Sequence, residues 1–394
     1  MLPACRISRL AVFTRRKSTF SPKPSELVKD IKPTVWTEFS TLAAQNQACN
    51  LGVGYADSPS PKILVEALKN LPNDSLNHQY TRGFGHAQLV TILAKMYGEL
   101  YGVKINALDD VMVTIGAYLA LYYSILGWVN KGDEVLIMDP AYDCYQPQVK
   151  MAGGTPIIIP MNIPKNAKSS SEFYIDFDEL ESKITNKTKM LILNNPNNPT
   201  GKLWSRNELE KLAKIVKKHN LLVIADEVYE FHVYEKEEMI RFASLPEMWQ
   251  RTISIGSAGK AFSATGWKLG WVIGPKNLLA PLKQLHQNCI HVCATPLQKA
   301  VADAFEKDWP NFYSNPQQSF LATGLSGELK KKRDSLAKSL EAANFKPILP
   351  QAGYFMLADF SEHLANFEKG KSGEKKMHGI LSFRDGFVKR RNWL

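Results

Sequence analysis

A lysine occupies a turn rich in glycine and serine that follows an apolar stretch, at Lys260 within residues 254–262. A side chain placed there can reach a ligand at the edge of a sheet, and partial loss of water lowers the pKa of its amine enough to make it nucleophilic. Lysine is also the residue that forms Schiff bases with pyridoxal phosphate. Alone the motif is weak, because an ordinary surface lysine in a turn is more common. The neighbouring motifs therefore decide its interpretation.

Asp226 ends an apolar run at residues 221–225, and Tyr229 stands three residues later. A carboxylate at the end of a buried strand is unfavourable unless a cation meets it. A protonated pyridine nitrogen would be such a cation, and keeping it protonated makes the ring an electron sink. Tyr229 could reach the ring hydroxyl from the same loop. The alternative is that Asp226 only caps the start of a helix.

The sequence also supplies donors suited to a phosphate group. Gly116, Ala117 and Tyr118 open a predicted helix directly after an apolar run, so backbone amides and the helix dipole could hold an anion there. Ser257 and Lys268 could add a hydroxyl and a positive charge.

Two further side chains are suited to a flat ring. Tyr142 follows an aspartate–proline–alanine turn and could stack on the face of the ring. Asn198 precedes a proline within residues 194–202, where its direction is nearly fixed, so it could donate a hydrogen bond to a ring oxygen or a substrate carboxylate. The general interpretation of such a stretch is simply a loop.

The elements that must position these residues alternate along the chain. Apolar runs predict strands at residues 111–114, 135–138, 155–159, 190–193, 221–225, 252–255 and 269–273, and helical spacing predicts helices at 35–44, 117–129 and 206–219. Short apolar strands alternating with helices indicate an α/β fold, with a mostly parallel seven-stranded sheet between helices. Ligands of such sheets gather at the carboxyl ends of the strands, where the polar residues named above stand.

These motifs, together with residues 79–86 and 259–271, resemble the class I/II aminotransferases of fold type I. Within that family the sequence is similar to the kynurenine aminotransferase and cysteine-S-conjugate β-lyase group, also called glutamine transaminase K. The similarity covers about residues 30 to 360 in order, and the combination of motifs is highly specific.

The resemblance implies a role for each motif at a pyridoxal 5′-phosphate site. It implies that Lys260 binds the cofactor covalently and that Asp226 pairs with the pyridine nitrogen. The other implied contacts are Tyr229 and Asn198 at the ring hydroxyl, Gly116, Ala117, Tyr118, Ser257 and Lys268 at the phosphate, and Tyr142 stacked on the ring. Tyr80 is expected to reach the phosphate from the other subunit of a homodimer with a shared active site.

On the substrate side the resemblance implies that Gly54 and Trp36 line the pocket, with Trp36 favouring large apolar and aromatic amino acids. The implied reaction transfers the amino group of kynurenine, glutamine or such amino acids to a 2-oxo acid. β-Elimination from cysteine S-conjugates is a second outcome at the same site. The sequence leaves open the preferred amino acid, the 2-oxo-acid acceptor and the balance between the two reactions.

The resemblance and the composition together predict four parts. Residues 1–25 are expected to be a transit peptide or a disordered tail, 26–60 an N-terminal arm or small-domain segment, 61–300 the large cofactor-binding domain and 301–394 a smaller α+β domain.

One family feature has no visible counterpart, the arginine that binds the substrate carboxylate in the closing strands of the small domain. Arg384 imitates its motif only superficially, and the small domain is expected to be truncated. An alternative function follows from this, a cofactor-binding but catalytically impaired chain that acts as a dimer partner.

Charge and cysteine content add little to these expectations. The formal net charge is +11, but much of the excess lies near the two ends of the chain, so nucleic acid is not expected as a partner. No apolar run is long enough to predict a membrane span. Five scattered cysteines predict neither a disulfide framework nor a metal site.

The first acidic residue is Glu26, and the preceding stretch combines arginine, lysine, serine and apolar residues. This composition is typical of a mitochondrial transit peptide, and a cytoplasmic protein with a basic tail is the alternative. A reporter fused to residues 1–25 is therefore expected to enter mitochondria, and replacing Arg6, Arg9, Arg15 and Arg16 by glutamine should prevent this. Fluorescence microscopy of both fusions checks the prediction, and a diffuse cytosolic signal from the unaltered segment would contradict it.

Overall fold

The computed structural model describes residues 21–25, 27–29, 31, 35–48, 52, 54, 59–71, 74–234, 237–361 and 363. The chain divides into two units, residues 1–32 and residues 33–394, and the account below concerns the second. The boundaries expected at residues 60 and 300 stay predictions. Arg384 lies outside the described residues.

The core of the second unit is a mixed eight-stranded sheet in the order β1-β8-β7-β6-β5-β2-β3-β4. Its strands are β1 Val111–Ile115, β2 Glu134–Asp139, β3 Thr155–Asn162, β4 Tyr174–Ile175, β5 Thr188–Asn194, β6 Leu222–Asp226, β7 Thr252–Ser257 and β8 Leu269–Ile273. Strands β2, β3, β5, β6 and β7 run parallel, whereas β8 is antiparallel to both β1 and β7. The predicted α/β class is confirmed.

The predicted number of seven strands is wrong by one. All seven predicted strands are present, and the additional strand, Tyr174–Ile175, pairs antiparallel with Met161 and Asn162 at the edge of the sheet. Two residues are too few to show the alternation of apolar and polar side chains from which a strand is predicted.

Helices precede the first strand of this sheet, lie between its strands and follow its last strand in the chain. They are α1 Val35–Asn46, α2 Lys62–Lys69, α3 Ala87–Tyr101, α4 Gly116–Leu126, α5 Tyr145–Met151, α6 Phe177–Ser182, α7 Arg206–Lys218, α8 Ala258–Ala261, α9 Lys276–Cys289, α10 Thr295–Ser314 and α11 Leu325–Ala342. Short 3₁₀ turns lie at Ser75–His78, Ser170–Glu172, Phe242–Ser244, Trp249–Arg251, Thr265–Trp267 and Pro316–Gln318, and a π-helical turn at Phe320–Gly324 precedes α11. Strands β9 Lys346–Ile348 and β10 Leu357–Asp359 form a separate antiparallel pair.

Both faces of most strands are buried, which explains why these strands are mainly apolar. In β1, Val111 and Val113 belong to one core cluster and the intervening Met112 to another, because successive side chains of a strand point to opposite faces. Among the helices of the described residues, none is long and apolar enough to cross a membrane.

The crossover from β5 to β6 places polar residues at one edge of the sheet. Helix α7 begins with a capping box, in which Ser205 accepts a hydrogen bond from the Glu208 amide and the Glu208 side chain accepts one from the Ser205 amide. The crossover returns the chain parallel to β5, so Asn194 pairs in register with Asp226. The carboxyl ends of β5, β6 and β7 therefore meet where ligands of α/β sheets bind.

A buried polar network holds the segment that follows β6. Glu230 accepts hydrogen bonds from the Tyr97 hydroxyl and from the Arg241 guanidinium, whose Nε lies 2.8 Å and Nη2 2.7 Å away. Trp271 donates from its indole nitrogen to the Tyr97 oxygen at 2.9 Å. This network ties the loop after β6 to α3 and β8.

Candidate active site

A cavity of about 520 Å³ opens at the carboxyl edge of the sheet. Its lining includes every predicted site residue except Tyr80: Trp36, Gly54, Gly116, Ala117, Tyr118, Tyr142, Asn198, Asp226, Tyr229, Ser257, Lys260 and Lys268. Tyr80 is 84% exposed and lines a different hollow with Thr295 and Pro296, so its expected reach into another subunit stays a prediction.

Lys260 lies in the short helix α8, which directly follows β7. Its Nζ donates a hydrogen bond to the Tyr354 hydroxyl at 2.5 Å and lies 3.3 Å from the Gly54 carbonyl oxygen. Burial lowers its pKa to about 8, with Asp226 opposing this shift and the charge of Lys268 adding to it. The amine is thus able to lose its proton near neutral pH, as a nucleophile or general base must.

Asp226 ends β6 and is almost completely buried. The Tyr145 hydroxyl donates to its Oδ2 at 2.6 Å, and the Val228 amide lies 3.4 Å from Oδ1. Burial raises its pKa to about 6, although both hydrogen bonds and the charge of Lys260 act against the shift. Among the described residues no lysine, arginine or histidine comes within 4.0 Å of its carboxylate oxygens. A carboxylate of this kind suits a cation supplied by a ligand.

The start of α4 forms a cradle for an anion. Gly116 has a φ of +69°, and the Lys268 Nζ lies 3.5 Å from the place that a Cβ on Gly116 would occupy. Opposite, a Cβ on Gly270 would come within 2.6 Å of the Ala117 amide nitrogen, so glycine is required for this close approach. Ser257 lines the same cavity, and its side chain does not cap α8. A helix N-terminus with a hydroxyl and an ammonium group suits a phosphate.

Aromatic side chains build one wall of the cavity. The ring of Tyr142 contacts Tyr118 and Tyr145 edge-on, with centroids 6.2 Å and 5.9 Å apart. Burial raises the pKa of Tyr142, so the phenol is protonated at neutral pH. The wall offers a flat surface beside the carboxylate of Asp226.

Asn198 and Tyr229 approach from the two loops that follow β5 and β6. The Asn198 amide donates to the Asn194 side-chain oxygen at 2.6 Å, and the Asn194 side chain in turn donates to the Asp226 carbonyl at 2.9 Å. Tyr229 is buried, and burial raises the pKa of its hydroxyl. Both residues line the same cavity as Asp226.

The open side of the cavity is bordered by Trp36 and Gly54. The Trp36 indole nitrogen donates to Asp143 Oδ2 at 2.6 Å, which fixes the ring although it is 40% exposed. A Cβ on Gly54 would lie 2.2 Å from the Phe355 ring, so a side chain there would displace that ring.

Tyr145, Tyr354 and Phe355 belong to this site, yet the sequence did not reveal them. Tyr145 is 81 residues from its partner Asp226 in the chain, and Tyr354 is 94 residues from Lys260, so both contacts form only when the chain folds. Their types carry no local signal, because buried aromatic residues are ordinary core residues. In the described part of the chain no arginine lines the cavity, and no group of three or more histidine, cysteine or acidic residues is placed to hold a metal ion.

Pyridoxal 5′-phosphate fits the groups that the cavity presents. The cradle at Gly116 and Lys268 matches its phosphate, the buried carboxylate of Asp226 matches its protonated ring nitrogen, and the amine of Lys260 matches its aldehyde. The fold and this set of groups define a pyridoxal-phosphate-dependent enzyme.

A sequence model of the family "Aminotransferase class I and II" matches residues 46–378. The chain belongs to this family and is a pyridoxal-phosphate-dependent aminotransferase of fold type I, as the sequence motifs predicted.

Individual relatives agree with the family assignment. The chain is 43% identical over 368 residues to kynurenine–oxoglutarate transaminase 3 of Mus musculus, covering 93% of this chain and 80% of the relative. It is 43% identical over 332 residues to kynurenine–oxoglutarate transaminase 1 of Homo sapiens, covering 83% and 78%. The solved structure of N-succinyldiaminopimelate aminotransferase from Mycobacterium tuberculosis superposes with a TM-score of 0.78 at 33% identity, covering 88% of both chains. The alternative of a catalytically impaired dimer partner is not favoured by these relationships.

Gly270→Ala is expected to weaken the binding of pyridoxal 5′-phosphate to the apoprotein roughly ten-fold or more, because the added methyl group would push the Ala117 amide out of the cradle. Gly266→Ala is the matched control, since a Cβ there meets no atom within 4 Å. Equilibrium titration of both apoproteins measures the dissociation constants. Equal constants for the two variants would show that the cradle does not hold the phosphate.

Proposed function

We propose that this aminotransferase transfers the amino group of kynurenine, glutamine or aromatic and large apolar amino acids to a 2-oxo acid. The observation that carries the proposal is the aromatic lining of the cavity, because Trp36 and Phe355 line the same cavity as Lys260. Flat apolar side chains gain the most from contact with such a lining. The names of the relatives, kynurenine–oxoglutarate transaminases, support the same substrate class.

The proposed roles of the side chains follow from their places. Bound pyridoxal phosphate supplies a ring that withdraws electrons from the substrate α-carbon. Asp226 keeps the ring nitrogen protonated, Tyr229 and Asn198 hydrogen-bond the ring hydroxyl, and Tyr142 packs on the ring face. The phosphate is bound by the amides at Gly116, Ala117 and Tyr118 together with Ser257 and Lys268.

Lys260 is the residue that moves protons in this proposal. It binds the cofactor covalently in the resting enzyme, and its Nζ, once free, removes the proton from the substrate α-carbon. A pKa of about 8 suits this task, because the amine can gain and lose a proton near neutral pH. The same proton removal permits β-elimination when the substrate carries a leaving group, as in a cysteine S-conjugate.

We also propose a homodimer in which Tyr80 completes the partner subunit's site. Tyr80 lies outside its own cavity and is 84% exposed, and the nearby Leu76 is 73% exposed. Large exposed aromatic and aliphatic side chains of this kind are typical of subunit contacts.

Mitochondrial localisation, with a cytoplasmic location as the alternative, remains a proposal supported by the composition of residues 1–25.

Lys260→Ala is expected to lower transamination of kynurenine, phenylalanine and glutamine by about a thousand-fold or more, because it removes the nucleophile and the proton carrier together. Lys276→Ala, at an exposed ion pair with Asp109, is the control and should retain the wild-type rate. The measurement is turnover with a 2-oxo acid, together with mass spectrometry of borohydride-reduced protein to locate the attached cofactor. Wild-type protein that uses none of the three amino acids, or cofactor attached elsewhere, would contradict the proposal.

Mixing two impaired variants, Lys260→Ala and Tyr80→Ala, is expected to raise activity above that of either variant alone. If each site combines Lys260 of one subunit with Tyr80 of the other, hybrid dimers hold one intact site, and roughly a quarter of all sites recover after random exchange of subunits. Turnover is measured before and after unfolding and refolding the mixture, with each variant alone as control. A mixture that stays inactive, although hybrids are detected by native mass spectrometry, argues against a shared site.

A further inference from the structure

A tyrosine from the chain segment after β9 contacts the amine of Lys260. The Tyr354 hydroxyl accepts a hydrogen bond from Lys260 Nζ at 2.5 Å and donates one to the Gly54 carbonyl oxygen at 2.9 Å. Lys260 Nζ lies 3.3 Å from the same carbonyl, so the three polar groups form a closed triangle. Among the described residues, Tyr354 is the side chain that hydrogen-bonds this amine.

The segment that carries Tyr354 is fixed independently of Lys260. The amides of Gln351 and Ala352 both lie 3.1 Å from the Gly201 carbonyl oxygen, and the Gly353 amide donates to the His232 carbonyl at 2.9 Å. These backbone hydrogen bonds hold the segment against the loops after β5 and β6. The segment that carries the hydroxyl is therefore held by contacts that do not involve Lys260.

Packing of the tyrosine ring also fixes its direction. The Tyr354 ring meets Tyr229 and His232 edge-on, with centroids 5.4 Å and 5.7 Å apart, and the Phe355 ring packs against it at 5.0 Å. A ring confined on several sides has little rotational freedom, so its hydroxyl has a defined position.

The groups around the amine leave the tyrosine hydroxyl uncharged. Burial raises the pKa of both Tyr354 and Tyr229, so both phenols are protonated at neutral pH. Burial also lowers the pKa of His232 to about 3, so this imidazole is neutral. The charges that act on Lys260 are those of Asp226, which raises its pKa, and Lys268, which lowers it. Tyr354 thus acts on the amine as a hydrogen-bonding dipole.

We propose that Tyr354 is a positioning residue that holds the amine of Lys260 beside Gly54 whenever this amine is not bonded to the cofactor. A phenol can both accept from an ammonium group and donate to a neutral amine, whereas the Gly54 carbonyl can only accept. Tyr354 therefore holds the amine in both protonation states, as a group that removes and returns a proton requires. This inference rests on the proposed role of Lys260.

The test is Tyr354→Phe, which keeps the ring and removes only the hydroxyl. The pKa of Lys260 in the apoprotein is measured by competitive labelling with acetic anhydride and mass spectrometry. We expect it to fall by about one unit, because the hydroxyl bonds the ammonium form more strongly than the neutral amine, so its loss disfavours the ammonium form. In the holoenzyme kcat should fall about ten-fold while KM for the amino acid changes less than about two-fold, because a misplaced base affects the chemical step.

Tyr234→Phe is the matched control. The Tyr234 hydroxyl donates to the Gly353 carbonyl oxygen in the same segment, whereas the amine of Lys260 bonds to Tyr354 and Gly54. The control should leave the pKa of Lys260 within about 0.3 units of the wild-type value. This difference is smaller than the variation of about one unit among lysine pKa values in folded proteins. If both variants shift the pKa of Lys260 equally, Tyr354 only stabilises the segment and the proposal is overturned. An unchanged pKa and kcat in Tyr354→Phe would overturn it as well. Neither result affects the role of Lys260 itself, which Lys260→Ala tests separately.

Discussion

The active site depends on the burial of two oppositely charged groups, the carboxylate of Asp226 and the amine of Lys260. The same cavity wall buries the carboxylate of Asp226 and most of the Lys260 side chain, and burial disfavours the charged form of each. The pKa of the carboxyl group rises to about 6 and that of the amine falls to about 8, so the two values move towards each other. At neutral pH the carboxylate is still mostly ionised and can hold a protonated ring nitrogen, while the amine is close to releasing its proton. Two groups tuned in this way suit proton transfer.

The sheet topology determines that these groups meet. Parallel pairing of β5 with β6 sets Asn194 beside Asp226, and pairing of β6 with β7 brings the start of α8, and hence Lys260, to the same edge. The antiparallel strand β8 positions Lys268 rather than Lys260. Its first residue, Leu269, pairs with Ile115, which places Lys268 beside the opening turn of α4 at Gly116. The reversed strand β8 therefore joins the opening turn of α4 to the site of Lys260.

Polar side chains at the end of β6 and in the loop after it have two different environments. Asp226 and Tyr229 line the cavity, whereas Glu227 and Glu230 are buried beside Arg241. Burial and the neighbouring Glu230 raise the pKa of Glu227 to about 8, with Arg241 acting against the shift. Glu227 is thus mostly protonated at neutral pH, which leaves the charge of Glu230 to pair with the one guanidinium. Breaking a buried pair of this kind costs about 3–5 kcal/mol, so the network is well suited to keep Asp226 and Tyr229 in place.

The sequence by itself determined seven of the eight strands of the sheet, the α/β class, the family and half of the residues that line the cavity. This was possible because Asp226, Ser257 and Lys260 stand at or shortly after the ends of apolar runs, and the carboxyl ends of neighbouring parallel strands meet at one edge of a sheet. The order of the strands, the edge strand at Tyr174–Ile175 and the contacts of Tyr145 and Tyr354 were decided only by the tertiary structure. The same holds for the pKa values of Asp226 and Lys260. Local sequence records which groups can titrate, but desolvation and long-range hydrogen bonds depend on segments far apart in the chain, and these meet only after folding.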